Sequence, residues 1–207
     1  MLAKRPAGLS YLGIPNYQVL LVDPPWTYRD SCSAGKRGAV YKYPTLTLGD
    51  LRELRVREWA AEDSLLFLWA TWPLLPDALT LMESWGFLYK TIAFVWAKTR
   101  GPVQESAPPR WHWGMGNWTR SNTEICLLGV SGRPKRASGG VHQLVVSPLR
   151  AHSAKPPEVR ERIVRLVGED VPKVELFARE RAPGWDACGL ELDGLDVRDY
   201  LGSGGCP

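Results

Sequence analysis

Long hydrophobic stretches are missing from this chain of 207 residues. The longest apolar runs, such as "LLFLWA" at Leu65 to Ala70, fall far short of the roughly 20 residues that cross a bilayer. The N-terminus, "MLAKRPAGLS", lacks the apolar region of a signal peptide. Both absences argue against membrane insertion and export. Histidine is scarce, at 3, and the 4 cysteines (Cys32, Cys126, Cys188 and Cys206) form no CxxC pair. Neither a metal site nor a disulfide framework is expected from that spacing, and a reducing cytoplasm fits it. No strong charge of either sign is present: the net charge of +4 permits a polyanionic partner without demanding one. There is no internal repeat.

What remains is ordinary soluble-protein composition, 44% hydrophobic and 23% charged, at a length suited to one core. Residues 1–192 read as a single domain and the Gly-rich residues 193–207 as a flexible tail. Six short runs rich in Val, Ile, Leu and aromatics have the pattern of strands covered on both faces. They are Val19–Val22, Leu65–Trp69, Ile92–Trp96, Ile125–Val130, Leu144–Val146 and Val174–Phe177. Helix signals lie between them. Thr47 and Asp50 are spaced as a capping box ahead of Leu51 and Leu54. A helix from Pro73 to Gly86 would carry Leu75, Ala78, Leu79, Met82 and Trp85 on one stripe. Another, opened by Pro156 and Pro157 and closed by Gly168, would bury Val159, Ile163, Leu166 and Val167. Strands alternating with such helices predict an α/β fold with a mostly parallel sheet flanked by helices.

Three irregular segments, 31–44, 99–121 and 131–140, mix Lys and Arg with Tyr and Trp. That combination suits phosphates and unstacked bases, and equally suits a solvated surface with aromatics folded inward. The stretch "VLLVDPPW" places Asp23, Pro24, Pro25 and Trp26 at the carboxyl end of the first strand, where open α/β sheets bind ligands. Two prolines stiffen the loop and cannot donate hydrogen bonds. A carboxylate beside proline carbonyls could accept both hydrogens of an amine while Trp26 stacks on the ring that bears it. On the residues alone, a simple strand terminator explains the motif as well.

Further motifs decide in favour of chemistry. "VDPPW", "YPTLTLGDL", "FVWAKT", "GNWTRSNTEICLLGV", "HSAKPPEV" and "VELFARERAPGWDACGLE" together resemble the MT-A type of adenine-N6 methyltransferases, over Val19 to Glu191. That family includes the catalytic subunit of the eukaryotic messenger-RNA adenosine methyltransferase, and this chain is most similar to the compact bacterial and phage branch. The resemblance implies a Rossmann-like, S-adenosylmethionine-dependent methyltransferase fold with permuted motif order. It implies catalytic roles for Asp23, Pro24, Pro25 and Trp26, with Asp23 and the Pro24 carbonyl on the target amine. Tyr43 would lie on a loop closing over the substrate, Trp69 and Trp96 would wall the adenine, and Lys98, Arg120 and Glu124 would line the substrate groove. For Trp69 and Trp96 a pure core role is an equal alternative. Lys155 would pair with the methionine carboxylate, Glu175 and Arg179 would serve the ribose, and Phe177 would lie near the adenine of the cofactor. Where the family carries Gly-Asn-Glu or Gly-Asn-Gln, this chain reads Gly189-Leu190-Glu191, leaving Glu191 to assist. The glycine-rich FxGxG of other methyltransferases is absent, and "GMG" at Gly114 to Gly116 does not replace it.

The expectation is therefore methyl transfer from S-adenosylmethionine to adenine N6 in nucleic acid, without metal, with DNA favoured over RNA. The alternatives are an RNA adenosine-N6 methyltransferase and a catalytically silent nucleic-acid-binding subunit. A homodimer or a related partner subunit would be compatible with either.

Overall fold

A computed structural model describes residues 16–27, 45–104, 106–114, 116, 118–150 and 154–203. Tyr43, the basic segment 31–44, Cys32 and Cys206 lie outside the described residues. Among the described residues seven strands form one sheet: β1 (Tyr17–Val22), β2 (Ala60–Ala70), β3 (Leu88–Thr99), β4 (Thr123–Ser131), β5 (Leu144–Pro148), β6 (Lys173–Leu176) and β7 (Asp186–Cys188). Their order is β5-β3-β4-β2-β1-β6-β7. Four of the pairings are parallel, and β4 is antiparallel to both β2 and β3. The mostly parallel expectation holds. Strand β7 escaped the sequence reading because "DAC" contains no apolar run of its own.

The alternation of side chains divides the core in two. Leu20 and Val22 of β1, with Leu66 and Leu68 of β2, face α1 (Leu48–Arg52), α2 (Val56–Trp59) and α3 (Leu75–Ser84). Val19, Leu21, Phe67 and Trp69 face α4 (Glu158–Val167) on the other side. Thr47 and Asp50 form the reciprocal capping box that opens α1. The proline-led turn Trp72–Leu74 is 3-10 and runs into α3, which buries Ala78, Leu81 and Met82. Leu81 joins the predicted stripe. Helix α4 is as expected, with Val159, Ile163 and Val167 inside and Arg162 bonded to Glu158 four residues earlier. Arg162 also donates to the carbonyls of His142 and Leu144, tying α4 to the edge strand β5.

Three expectations change. The segment from 193 does not simply fray: after α5 (Leu190–Asp193), α6 (Val197–Ser203) sends Val197 and Tyr200 into the core beside β1 and β6. Two apolar side chains three residues apart outweigh the surrounding glycines. The basic segment 131–140 leaves the far end of the sheet, because β4 runs antiparallel to β2 and carries Ser131 to the level of Ser64. There the N–H groups of Ala137 and Ser138 donate to Leu166 O, near the carboxyl end of α4. Finally, Cys188 is disulfide-bonded. Cys126 is a buried free thiol whose pKa burial pushes up, which keeps it unreactive.

The chain reverses direction across the sheet at β1, which has β2 on one side and β6 on the other. A crevice opens at the carboxyl end of such a switch point. Register sets Val22 beside Leu176, so Asp23 and Phe177 leave the sheet as neighbours although 154 residues separate them in sequence. Helix α4 clamps this arrangement through Ile163, which is fully buried. Ile163→Ala is expected to cost about 2–5 kcal/mol in urea unfolding, while Val164→Ala, at a half-buried position of the same helix, costs distinctly less.

Candidate active site

The chain turns sharply as it leaves β1. Trp26 N–H donates to Pro24 O at 2.8 Å, closing a three-residue turn centred on Pro25. The fixed φ of proline lies close to the value that such an inverse γ-turn requires. Pro25 O accepts from Leu46 N–H at 2.8 Å, and Trp26 forms an isolated bridge with Leu46. The proline carbonyls are thus not free acceptors, as the sequence suggested. Each already holds one backbone bond, which anchors the loop, and each retains a second lone pair. Trp26 is buried, and its Nε1 donates to Trp69 O at 3.0 Å, binding the turn to the end of β2.

Beside this turn runs a chain of charges. Lys155 Nζ lies 2.7 Å from Asp23 Oδ2 and 3.5 Å from Glu124 Oε2, and Glu124 Oε1 accepts from Lys98. All four side chains are at most 18% exposed. Burial alone would lower the Lys155 pKa; the carboxylates of Asp23 and Glu124 reverse this and hold it well above the ordinary lysine value. For Glu124, burial acts to raise the pKa, but the ammonium groups of Lys155 and Lys98 outweigh it and the net shift is downward. The ammonium groups also rest over aromatic rings, Lys155 at 5.6 Å from Trp69 and Lys98 at 4.9 Å from Trp96.

Three cavities meet here, and Asp23 and Arg179 line all of them. One, bounded by Pro24, Pro25, Trp26, Trp69, Glu124 and Lys155, lies on the β2 side. A second runs from Lys155 past Arg160 and Glu175 to Phe177. The largest, about 370 Å³, is bounded by Leu46, Phe177, Arg179, Leu190, Glu191 and α6. Phe177 has φ 61°, a left-handed conformation that costs a non-glycine residue of order 1 kcal/mol. It turns the chain out of β6 between the second and third cavities. Gly189 closes the same wall: a Cβ there would meet Ala178 O at 2.2 Å. Among the described residues no group of three or more His, Cys, Asp or Glu could hold a metal ion.

The structure sorts the predicted residues. Asp23, Pro24, Pro25, Trp26, Trp69, Glu124 and Lys155 come together around one cavity. Phe177, Arg179 and Glu191 share the largest, where Arg179 lies 3.5 Å from Glu191. Trp96 fits its core alternative: it is buried on the α4 side, donates Nε1 to Ser147 O at 3.1 Å, and lines none of the three cavities. Its position in β3, two strands from β2, sets it back from Asp23. Lys155 is engaged with two carboxylates instead of standing as a lone cation. Arg120 is exposed on the loop leading into β4. Glu175 has the partner its burial demands, Arg160 Nη1 at 2.8 Å, and burial still leaves its pKa raised. Arg160 and Glu180, its second ion-pair partner, were missed. The signal for Arg160 was its spacing three residues before Ile163, on the edge of the buried face.

A carboxylate whose pKa is depressed on folding contributes stability above its unfolded pKa and loses it as pH falls through the folded value. Glu124→Gln should therefore be less stable than wild type by about 1.5–3 kcal/mol at neutral pH. The gap should close as pH drops below about 4.3, the ordinary glutamate value, which urea melts across pH would record.

The chain is 36% identical over 195 residues to the type II methyltransferase M.MunI of a Mycoplasma species, covering 85% of this chain and 78% of that protein. It is 29% identical over 198 residues to the human N(6)-adenosine-methyltransferase catalytic subunit METTL3, covering 94% of this chain and 31% of the relative. The MT-A70-like N(6)-adenosine-methyltransferase of Arabidopsis thaliana is 28% identical over 182 residues, or 86% of this chain and 24% of its own length. The chain thus spans about a third or less of the eukaryotic relatives. The MT-A70 family matches residues 17–191, from the first residue of β1 to the Arg179–Glu191 pair, and this chain belongs to that family.

Proposed function

We propose that the protein transfers a methyl group from S-adenosylmethionine to the N6 amine of adenine in nucleic acid, with DNA as the substrate. One observation carries the reading: a charge-paired carboxylate, Asp23, sits on a proline-stiffened turn between aromatic walls at the carboxyl end of β1. The DNA assignment is supported by the higher identity to the bacterial type II methyltransferase than to the eukaryotic relatives. A cytoplasmic location is compatible with a nucleic-acid substrate.

The residues around the largest cavity suit the cofactor. Arg179 and the carboxylate of Glu191 match a ribose diol, and the Phe177 ring and Leu190 supply apolar cover. Glu175, neutralised by Arg160, lies toward the ribose from the second cavity. Lys155 has three donors; one serves Asp23 and one Glu124, leaving the third for a carboxylate of the ligand. When bound, S-adenosylmethionine supplies the electrophilic methyl group.

The remaining chemistry belongs to the turn. Lys155 holds Asp23 Oδ2, so Oδ1 is the oxygen offered to one amine hydrogen, and the second lone pair of Pro24 O takes the other. Accepting both hydrogens draws the nitrogen lone pair out of the adenine ring, where it is otherwise delocalised. That favours attack more than binding. The Lys155 ammonium at 2.7 Å already occupies one oxygen of Asp23 and fixes the carboxylate in place. Its role is therefore to orient and accept, and the proton leaves to water once the methylated amine has become acidic. Adenine in a duplex must leave the stack to reach this turn.

Purified protein incubated with labelled S-adenosylmethionine should label adenine-containing DNA, with N6-methyladenine found on nucleoside digestion and mass spectrometry. Asp23→Asn should lower kcat at least about 100-fold while retaining the fold. Label on cytosine, equal turnover by the variant, or no transfer to DNA or RNA would defeat the proposal.

A further inference from the structure

The long segment between β3 and β4 contains a feature that methyl transfer does not explain. After a proline-rich excursion the chain returns alongside the end of β3. Arg100 N–H donates to Arg110 O at 2.8 Å, Thr99 bridges Trp111, and His112 N–H donates to Lys98 O at 2.9 Å. This makes Trp111 an isolated antiparallel bridge partner of Thr99, and in such extended backbone alternate side chains face opposite ways. The exposures follow that alternation. Trp111 is 41% and Trp113 62% exposed, whereas His112 and Gly114 are half-buried. The sequence "GMG" has its explanation in the same ribbon. Gly114 N–H donates to Ser121 O at 2.9 Å, and a Cβ on Gly114 would meet that oxygen at 2.2 Å. Glycine is required because two backbone segments touch.

Two indoles thus stand on one outward face of an extended backbone, their Cα atoms about 6.6–6.8 Å apart from the strand rise. That separation is about twice the 3.4 Å thickness of a stacked base. Indoles leaving one face at that Cα spacing would admit one flat ring between them. The surroundings carry the opposite charge to a phosphate backbone: with Lys98 paired to Glu124, residues 99–123 contain three further cations, Arg100, Arg110 and Arg120, against one acid, Glu105. Arg100, Arg110 and Arg120 are exposed. The local field is felt at His112, whose pKa is lowered by burial first and then by Lys98 and Arg100. The ribbon is also continuous with the active site, since Lys98 passes through Glu124 and Lys155 to Asp23.

We infer that Trp111 and Trp113 form a base clamp, holding one unstacked nucleobase of the strand that carries the target adenine, with the arginines on its phosphates. This rests on the nucleic-acid reading above and names a second contact for the same strand. Adenine held at Asp23 and a neighbouring base held at the clamp keep that strand open between two fixed points. Stacking is tolerant of base identity, so the clamp adds affinity for exposed strand without adding sequence preference.

The test uses the full chain and two fluorescein-labelled strands of about 16 nucleotides, oligo(dA) and an abasic strand of equal length and charge. Wild type should bind oligo(dA) more tightly than the abasic strand. Trp111→Ala with Trp113→Ala should weaken oligo(dA) binding by about 10- to 100-fold and leave abasic binding unchanged. Trp113→Phe should keep most of the affinity, because an aromatic face remains. Arg100→Ala with Arg120→Ala should weaken both strands alike. Undiminished oligo(dA) binding by the tryptophan variant would overturn the clamp. So would equal weakening on both strands, or a change from dimer to monomer in place of lost binding, which would make the face a protein contact. Methyl transfer is read separately. A clamp that fails in an active enzyme leaves the reaction standing, and a clamp that holds in an inactive protein marks a binding module.

Discussion

A single ammonium held between two carboxylates organises the functional end of this sheet. Lys155 lies ahead of α4, Asp23 follows β1 and Glu124 belongs to β4, so the Lys155 contacts join three distant parts of the chain at one point. Each charge is nearly buried, and none could be left there alone without a penalty of several kcal/mol. The arrangement therefore holds as a unit. Pairing compensates each charge and fixes Asp23 Oδ2, while Trp69 and Trp96 lie under the two ammonium groups.

The prolines act differently from what their inability to donate suggests. Their carbonyls hold Trp26 and Leu46, so the turn is fastened to the chain that follows it as well as being stiff in itself. A fastened acceptor has no reorganisation to undergo when an amine arrives, and this is the condition under which a hydrogen bond favours a transition state. Phe177 mirrors this on the neighbouring strand, where a left-handed residue redirects the chain away from β6. The crevice lies between a proline-made turn and a strained one.

Much of this was legible in the order of residues. Apolar runs mark strands because both faces of a central strand are covered, and Thr47 with Asp50 marks a helix start because the capping bonds are local. The ordered motifs from "DPPW" to "VELFAR" carried the family, since a site built on a fixed backbone tolerates few residue types. Strand β7 and the docking of α6 were not legible. Three residues, or two apolar side chains in a glycine-rich stretch, acquire their meaning only from the surface they meet.

The pairing of charges belongs to the same class. That Glu175 needs a cation follows from its setting in an apolar strand; that the cation is Arg160 follows only from how α4 lies across β6. Trp69 and Trp96 read alike and both are buried in the same core cluster, yet with the order β3-β4-β2-β1 only Trp69, on the strand next to β1, also lines the cavities with Asp23. Local chemistry, the stiff turn, the caps and the strand pattern, was settled by neighbours in sequence, because those interactions span a few residues. Which charge meets which, and which tryptophan reaches the cavity, was settled by strand order and helix docking, because buried charges choose partners by distance in space.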